Sequence, residues 1–141
     1  MEVLYTAHAT ASGGGRDGRS ATDDGKIDVS LSVPKAMGGD DGPGTNPEQL
    51  FATGYAACYL GALRLVSRNE GKPVGPDTKV AAGVGFGKNT RGEGFNLDVS
   101  LTISDHGLDQ ATIDDLIQKA HQVCPYSNAT RGNVDVALKA V

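Results

Sequence analysis

The clearest pattern in the chain is a strict alternation of apolar and polar residues between positions 95 and 103. Period two is typical of a strand with one buried face. A shorter stretch, 27–33, has the same period and ends at Pro34. Further strands are expected where β-branched and small residues cluster, at 2–11, 79–86 and 134–140. The pattern therefore predicts five strands, of which the third and fourth form a hairpin.

The longest helix is predicted to start near residue 46. Asn46 is favourable at the N-cap, Pro47 suits the first helical position, and Thr45 with Glu48 fits a capping box. The segment that follows is apolar on nearly every side up to Val66, which predicts a central, buried helix.

A second helix is predicted at about 109–124, where apolar residues follow the three-and-four spacing of an amphipathic helix. Pro125 ends it, and 126–133 is expected to be a polar loop. Two glycine-rich polar segments, 12–26 and 37–46, are also expected to be loops. The predicted order is β-β-α-β-β-α-β, which indicates an α+β fold in a single domain over 1–141.

Composition excludes several classes of partner. The 17 acidic residues outnumber the 13 basic ones, so the chain has no general affinity for nucleic acids or anionic lipids. Neither a long apolar run nor an N-terminal signal pattern is visible, so a cytoplasmic location is expected. In a reducing cytosol, the chain's two cysteines would pair only transiently, as part of its chemistry.

Cys58 lies on the predicted first helix, about three turns from its start. Its simplest interpretation is a small hydrophobic residue in a buried helix. Gly54 and Gly61 share its helix face, however, and each interior glycine costs about 1 kcal/mol relative to alanine. Close approach of another backbone, or room for a ligand over the sulfur, would offset that cost. Cys58 is therefore a candidate nucleophile.

A reactive Cys58 must be a thiolate, and it lies too far from the helix end for the dipole to help. A cation from elsewhere is needed. The candidates are Arg16 and Arg19 in the first loop and Arg131 near the second cysteine. Arginine suits this role because it stays charged when buried and donates along a planar edge.

Cys124 lies where Pro125 ends the second helix. It can be the last core position of that helix, since free cysteines are commonly buried. It can also be a resolving cysteine, because a sulfenic acid on Cys58 would condense with a nearby thiol. The sequence alone does not bring the two sulfurs together.

Glu48 is either the capping-box acid or an acid that orients a loop arginine. It precedes Cys58 by ten residues, about 15 Å along a continuous helix. If both serve one site, either the helix is interrupted or two subunits share the site. His121 and Cys124 could contact one metal ion, but the other histidines, His8 and His106, complete no ligand set, so no metal is expected.

Three motifs are familiar at this point: GGGRDGR at 13–19, TNPEQLFATGYAACYLGAL at 45–63 and HQVCPYSNATRGN at 121–133. They closely resemble the organic hydroperoxide resistance proteins, the Ohr branch of the OsmC superfamily. The resemblance covers nearly the whole chain. The arginine in the first glycine-rich loop favours the Ohr branch over the others.

The resemblance implies a fold with two sheets around a central buried helix, in an intertwined homodimer with active sites at the interface. It implies a cytoplasmic thiol peroxidase of organic and fatty-acid hydroperoxides. By motif match, Cys58 is the peroxidatic cysteine and Cys124 the resolving one. Arg16 holds Cys58 as thiolate, and Glu48 orients Arg16.

The resemblance also implies that no cofactor is bound and that the reductant is a dihydrolipoyl dithiol, as dihydrolipoamide or a lipoylated protein. Leu50 and Phe51 are expected to hold the alkyl tail of the substrate. Two other functions stay open on the sequence: a redox sensor whose disulfide signals to a partner, and a non-enzymatic carrier of apolar ligands.

Overall fold

The computed structural model describes residues 1–141, whose contacts divide the chain into two compact units, Met1–Leu50 and Phe51–Val141. The prediction of a single domain over 1–141 stays a prediction. Helices and strands are mixed in the order β-β-β-α-β-β-α-α-β, with a short 3₁₀ helix at Lys35–Met37. The α+β class is thus confirmed, with one strand and one helix more than predicted.

The first unit contains a three-stranded antiparallel sheet. Its strands are β1 (Ala9–Ser12), β2 (Arg19–Thr22) and β3 (Asp28–Ser30), paired in chain order. A single parallel bridge between Leu31 and Thr45 follows β3.

This sheet differs from the prediction in two ways. The strand expected over 2–11 forms only from Ala9 onward, and β2 lies inside the segment expected to be a loop. β2 is held in place by backbone pairing and by a bidentate ion pair between Arg19 and Asp28. Its residues do not alternate between apolar and polar. Hydrophobic periodicity cannot detect a strand of this kind.

The long helix α1 spans Pro47–Asn69 without interruption. The Asn46 side chain accepts a hydrogen bond from the Gln49 backbone N–H at 2.8 Å, which confirms the predicted N-cap. The helix ends at Asn69, and Gly71 just beyond it adopts a left-handed backbone conformation (φ +68°) that favours glycine.

Only one face of α1 is buried in this chain. Tyr55, Tyr59 and Leu63 are fully buried, whereas Leu65 on the other side is 44 % exposed. The prediction of a buried helix is therefore confirmed for one face of α1, whereas the opposite face is exposed in the single chain. By length and composition alone α1 could cross a membrane, but its buried residues belong to the hydrophobic core, as in the core helices of soluble proteins.

The second unit contains a sheet in the order β4 (Lys79–Lys88), β5 (Phe95–Ser104) and β6 (Val136–Ala140). β4 and β5 form the predicted antiparallel hairpin, and β6 pairs parallel to β5. The remaining helices are α2 (Gln110–Val123) and α3 (Pro125–Thr130).

The helix α3 occupies the start of the segment expected to be a polar loop. Pro125 ends α2 as predicted, but it is also the first residue of α3, a position where proline is favourable. The core of the second unit joins α1, α2 and β5, and its fully buried residues include Leu63, Val99, Leu101, Ile103, Ile113 and Leu116.

Candidate active site

Arg16 and Glu48 form a bidentate ion pair within the first unit. The two nitrogens Nη1 and Nη2 of Arg16 donate to Oε2 and Oε1 of Glu48 at 3.0 and 2.7 Å. This hydrogen bonding holds the pKa of Glu48 below its usual range and raises that of Arg16. The Glu48 carboxylate is thus engaged by Arg16, and the side-chain cap of α1 is provided by Asn46.

Glycines determine the shape of the loop that carries Arg16. Gly13 and Gly15 have φ values of +73° and +75°, which side-chain-bearing residues rarely adopt. A Cβ on Gly18 would lie 2.0 Å from the carbonyl oxygen of Ser12. The loop can therefore hold Arg16 in this position only with glycines around it.

Cys58 and Cys124 lie side by side in the second unit. Both are free thiols, and their Sγ atoms are 3.6 Å apart. A disulfide requires about 2.05 Å, so the sulfurs would need to approach by only about 1.5 Å. The side chain of Cys58 is half-buried, whereas that of Cys124 is fully buried. A reagent from solvent therefore meets Cys58 first.

The surroundings of Cys58 in the second unit do not by themselves favour its thiolate. Burial raises the pKa of the Cys58 thiol, and the neighbouring Cys124 raises it further. The backbone N–H of Tyr126, which hydrogen-bonds the sulfur, acts in the opposite direction. An efficient nucleophile at this position needs a cation in addition to these groups.

Cys124 occupies the joint between α2 and α3. It is the C-cap of α2, where its N–H donates to Ala120 O, and the N-cap of α3, where its carbonyl accepts from Asn128 N–H; both bonds are 2.9 Å long. Its backbone is extended (ψ 124°) between two helical segments. The sulfur of Cys124 is thus carried by a non-helical residue that joins two helices.

Two buried tyrosines of α1 contact the elements on either side of this joint. Tyr59 donates a hydrogen bond to the Ile117 carbonyl of α2 at 2.6 Å. The Tyr55 hydroxyl lies 2.9 Å from Ser127 Oγ and 3.2 Å from Thr130 Oγ1, both in α3. Sequence reasoning missed these residues. The available signal was their i, i+4 spacing on a helix expected to be buried, because a buried tyrosine hydroxyl needs a partner.

One of the two glycines on the Cys58 face now has an explanation. A Cβ on Gly54 would lie 2.8 Å from the hydroxyl oxygen of Tyr126, so Gly54 makes room for that ring. Tyr126 also packs against Phe51, with ring centroids 5.8 Å apart. A Cβ on Gly61 would meet no atom within 4 Å, and this chain provides no reason for that glycine.

The other two candidate cations have partners of their own. Arg19 pairs with Asp28, and Arg131 donates to Asn128 Oδ1 at 2.7 Å and to the His121 carbonyl. Arg131 therefore ties the last turn of α2 to α3. No group of three or more His, Cys, Asp or Glu side chains is arranged to hold a metal ion.

The continuity of α1 bears on how the four predicted residues could work together. Glu48 and Cys58 lie on the same uninterrupted helix, ten residues and therefore about 15 Å apart along its axis. An interrupted helix, one of the two arrangements predicted for a common site, is not observed. The other arrangement, a site shared between two subunits, stays a prediction.

Comparison with known proteins agrees with this architecture. The family model of the OsmC-like proteins matches residues 38–139. An organic hydroperoxide resistance protein of Xanthomonas axonopodis pv. citri is 50 % identical over 137 residues, covering 97 % of this chain and 94 % of that protein.

Solved structures lead to the same family. The organic hydroperoxide resistance protein of Elizabethkingia anophelis superposes with a TM-score of 0.91 at 46 % identity, covering 99 % of this chain and 98 % of that one. The corresponding protein OhrB of Bacillus subtilis superposes at 0.87 with 42 % identity, covering 99 % and 100 %. This chain therefore belongs to the OsmC-like family, in its organic hydroperoxide resistance branch.

Proposed function

We propose that this protein is a thiol-dependent peroxidase that reduces organic and fatty-acid hydroperoxides to alcohols and so detoxifies organic peroxides. Relatives at 41–50 % identity over most of their length carry the name organic hydroperoxide resistance protein. The observation that carries the proposal is the pair of free thiols, 3.6 Å apart, of which one is accessible and the other is buried.

In the first step, the Cys58 thiolate attacks the distal oxygen of the hydroperoxide. The O–O bond breaks, and the distal OH group is transferred to Cys58, which becomes a sulfenic acid. The alkoxide takes up the proton that the Cys58 thiol released to solvent and leaves as an alcohol. The sulfur is oxidised by two electrons and the peroxide is reduced by two.

In the second step, the sulfur of Cys124 attacks the sulfenic sulfur of Cys58. A disulfide forms and water leaves, with the thiol proton of Cys124 completing the water. A dihydrolipoyl dithiol then reopens the disulfide by two exchange reactions and becomes the cyclic disulfide. No bound cofactor is required, because the two sulfurs carry all the electrons.

Arg16 is assigned the role of the cation that lowers the pKa of Cys58 and steadies charge on the peroxide oxygens, with Glu48 aiming it. The raised pKa of Cys58 within its own unit supports the need for such a cation. Since Glu48 and Cys58 are far apart on one continuous helix, we propose an intertwined homodimer in which one subunit supplies Arg16 and Glu48 and the other the two cysteines.

The remaining assignments follow from this role. The protein acts in the cytoplasm, on organic hydroperoxides and with lipoylated proteins as its reductant, and it needs neither a nucleic acid nor a membrane. Phe51, which packs against Tyr126, and its neighbour Leu50 are proposed to contact the alkyl chain of the substrate.

The test is steady-state turnover of cumene hydroperoxide with dihydrolipoamide, thioredoxin or glutathione as the reductant. We expect turnover with dihydrolipoamide, abolished in Cys58→Ser and reduced to a single oxidation event without a disulfide in Cys124→Ser. Arg16→Ala should lower the rate at least a hundredfold, on the scale of losing one charge-stabilising group. Arg19→Ala is the matched control, since it also removes an ion-paired arginine of this unit.

Other outcomes identify the competing functions. Stoichiometric oxidation without turnover by any of the three reductants would replace the peroxidase with a redox sensor. Peroxide consumption that survives Cys58→Ser at the full rate would contradict the role of Cys58. No consumption at all would contradict the proposal and favour a carrier of apolar ligands.

A further inference from the structure

The two cysteines are carried by different elements, so something must hold those elements together. Cys58 lies in the middle of α1, whereas Cys124 lies at the joint between α2 and α3. The two Sγ atoms must move only a short distance to form a disulfide, so even a small displacement of the joint would change the distance between them by a comparable amount. The contacts between α1 and the joint therefore matter for the chemistry.

Those contacts bracket the sulfurs on both sides. Tyr55 precedes Cys58 by three residues and reaches α3 through Ser127 and Thr130. Tyr59 follows Cys58 directly and reaches α2 through the Ile117 carbonyl. Both tyrosines are fully buried.

We propose that Tyr55 and Tyr59 are positioning residues that hold the α2–α3 joint against α1 and thereby keep the sulfurs of Cys58 and Cys124 within reach of each other. Their relevance to peroxide turnover rests on the proposed function, but the effect on the two thiols does not. Each hydroxyl would act through geometry, without contacting the substrate.

The hydroxyls are suited to this role because each adds a directional hydrogen bond to ring packing, which is not directional. Aromatic rings alone would pack against α2 and α3 in several registers, whereas a buried hydrogen bond fixes one of them. Holding two reacting groups in place raises the effective concentration of each for the other. Without the hydroxyls, the joint has more freedom and the disulfide closes less readily.

The hydroxyls would also protect Cys58 from further oxidation. A sulfenic acid that waits for Cys124 can react with a second hydroperoxide, whose oxygen then converts it to a sulfinic acid with release of a second alcohol. Slower closure of the disulfide leaves more time for this side reaction. The two tyrosines would thus decide how often the cycle is completed.

The first experiment measures the reduction potential of the Cys58–Cys124 pair in mixtures of reduced and oxidised dithiothreitol, without any peroxide. The variants are Tyr55→Phe and Tyr59→Phe, which keep the rings and remove only the hydroxyls. We expect the equilibrium constant for disulfide formation to fall roughly tenfold in each, which corresponds to a potential about 30 mV less negative.

Ser67→Ala is the matched control. Ser67 is another buried hydroxyl on α1, but its partners are Arg64 O and the Val74 N–H, far along the helix from the sulfurs. It should lose comparable stability and leave the potential unchanged. A potential that is unaltered in both tyrosine variants, or that shifts equally in Ser67→Ala, would overturn the proposal.

The second experiment exposes the reduced proteins to excess cumene hydroperoxide and measures sulfinic acid on Cys58 by mass spectrometry. We expect several-fold more sulfinic acid in the tyrosine variants, at an unchanged rate of the first oxidation. If Tyr55→Phe does not fold, Tyr59→Phe still tests the idea, because it leaves no side-chain hydroxyl unpaired. A protein without peroxidase turnover whose potential nevertheless shifts would refute the proposed function and keep this inference.

Discussion

Residues 1–50 bury one apolar side chain, Leu31, whereas residues 51–141 bury apolar side chains of α1, α2 and β5 in a continuous core. The first unit is instead held by backbone pairing, by glycine-dependent turns and by the ion pairs Arg16–Glu48 and Arg19–Asp28. A three-stranded sheet with so little buried apolar surface is marginal on its own.

The difference shows how the candidate chemistry is divided along the chain. The charged pair lies on a thin, largely exposed unit, and the two sulfurs lie in a packed one. The first unit also exposes large apolar side chains, those of Val3, Leu4, Tyr5 and Ile27. If a second copy of the chain packed against this unit, it would explain both the small apolar core and the exposed apolar side chains. Such packing is what the proposed homodimer requires.

The largest contrast between the units should appear when one core leucine is truncated in each. Leu101→Ala removes a fully buried side chain from the second unit, so we expect a loss of about 2–5 kcal/mol in the free energy of unfolding. Leu31→Ala should cost less in dilute protein and more as the concentration rises, because association would supply the missing neighbours. Urea unfolding at several protein concentrations measures both. Equal, concentration-independent costs would remove the distinction between the units.

A smaller effect is expected from a glycine of the Arg16 loop. Gly18→Ala places a Cβ against the Ser12 carbonyl, so the loop must shift, and we expect about 1–3 kcal/mol of lost stability. Because Arg16 moves with the loop, peroxide turnover should fall at least tenfold.

Gly25→Ala provides the comparison for this loop. Gly25 also has a positive φ, +71°, but a Cβ there would meet no atom within 4 Å. It should therefore lose some stability from backbone strain and keep its turnover. If both variants retain full activity, the position of Arg16 does not depend on the shape of this loop.

The sequence predicted the second unit better than the first, for a physical reason. β5 and α2 alternate apolar and polar residues at the period of their own structure because one face of each is buried. β2 and α3 lack such a face pattern, and Pro125 is compatible with both the end of one helix and the start of the next. The alternation of apolar and polar residues indicates which face of an element is buried. It therefore does not predict elements that are formed mainly by backbone pairing or by capping.

The motifs in the sequence identify Cys58, Cys124, Arg16 and Glu48 as members of the candidate site, and their roles stay predictions. The geometry of the site could not be predicted from the sequence. Cys58 and Cys124, like Tyr55 and Ser127, lie more than sixty positions apart in the sequence. Patterns of neighbouring residues do not predict contacts over such a separation. The one indication in the sequence is that tyrosines on an apolar helix are expected to be buried and therefore need hydrogen-bond partners.

The smallest expected effect is the acid sensitivity of the ion pairs in the first unit. The pKa of Glu48 is lowered in the folded protein, chiefly by its hydrogen bonds to Arg16, so the folded protein binds the proton less readily than the unfolded chain. The pair's contribution is therefore fully present above the ordinary glutamate pKa of about 4.5 and disappears as pH falls through the lower folded value. After solvent screening it should amount to at most about 1 kcal/mol.

Unfolding measured between pH 6 and pH 2 should consequently show a shallower acid slope in Glu48→Gln than in the parent protein. Asp28→Asn is the matched control: its pair with Arg19 is also bidentate, but both side chains are about half exposed, at 49 % and 59 %. Screening by water should make its effect on the slope smaller than that of Glu48→Gln. A larger change in Asp28→Asn would mean that the Arg16–Glu48 pair adds little to the stability of its unit, and that it is kept for the position it gives Arg16.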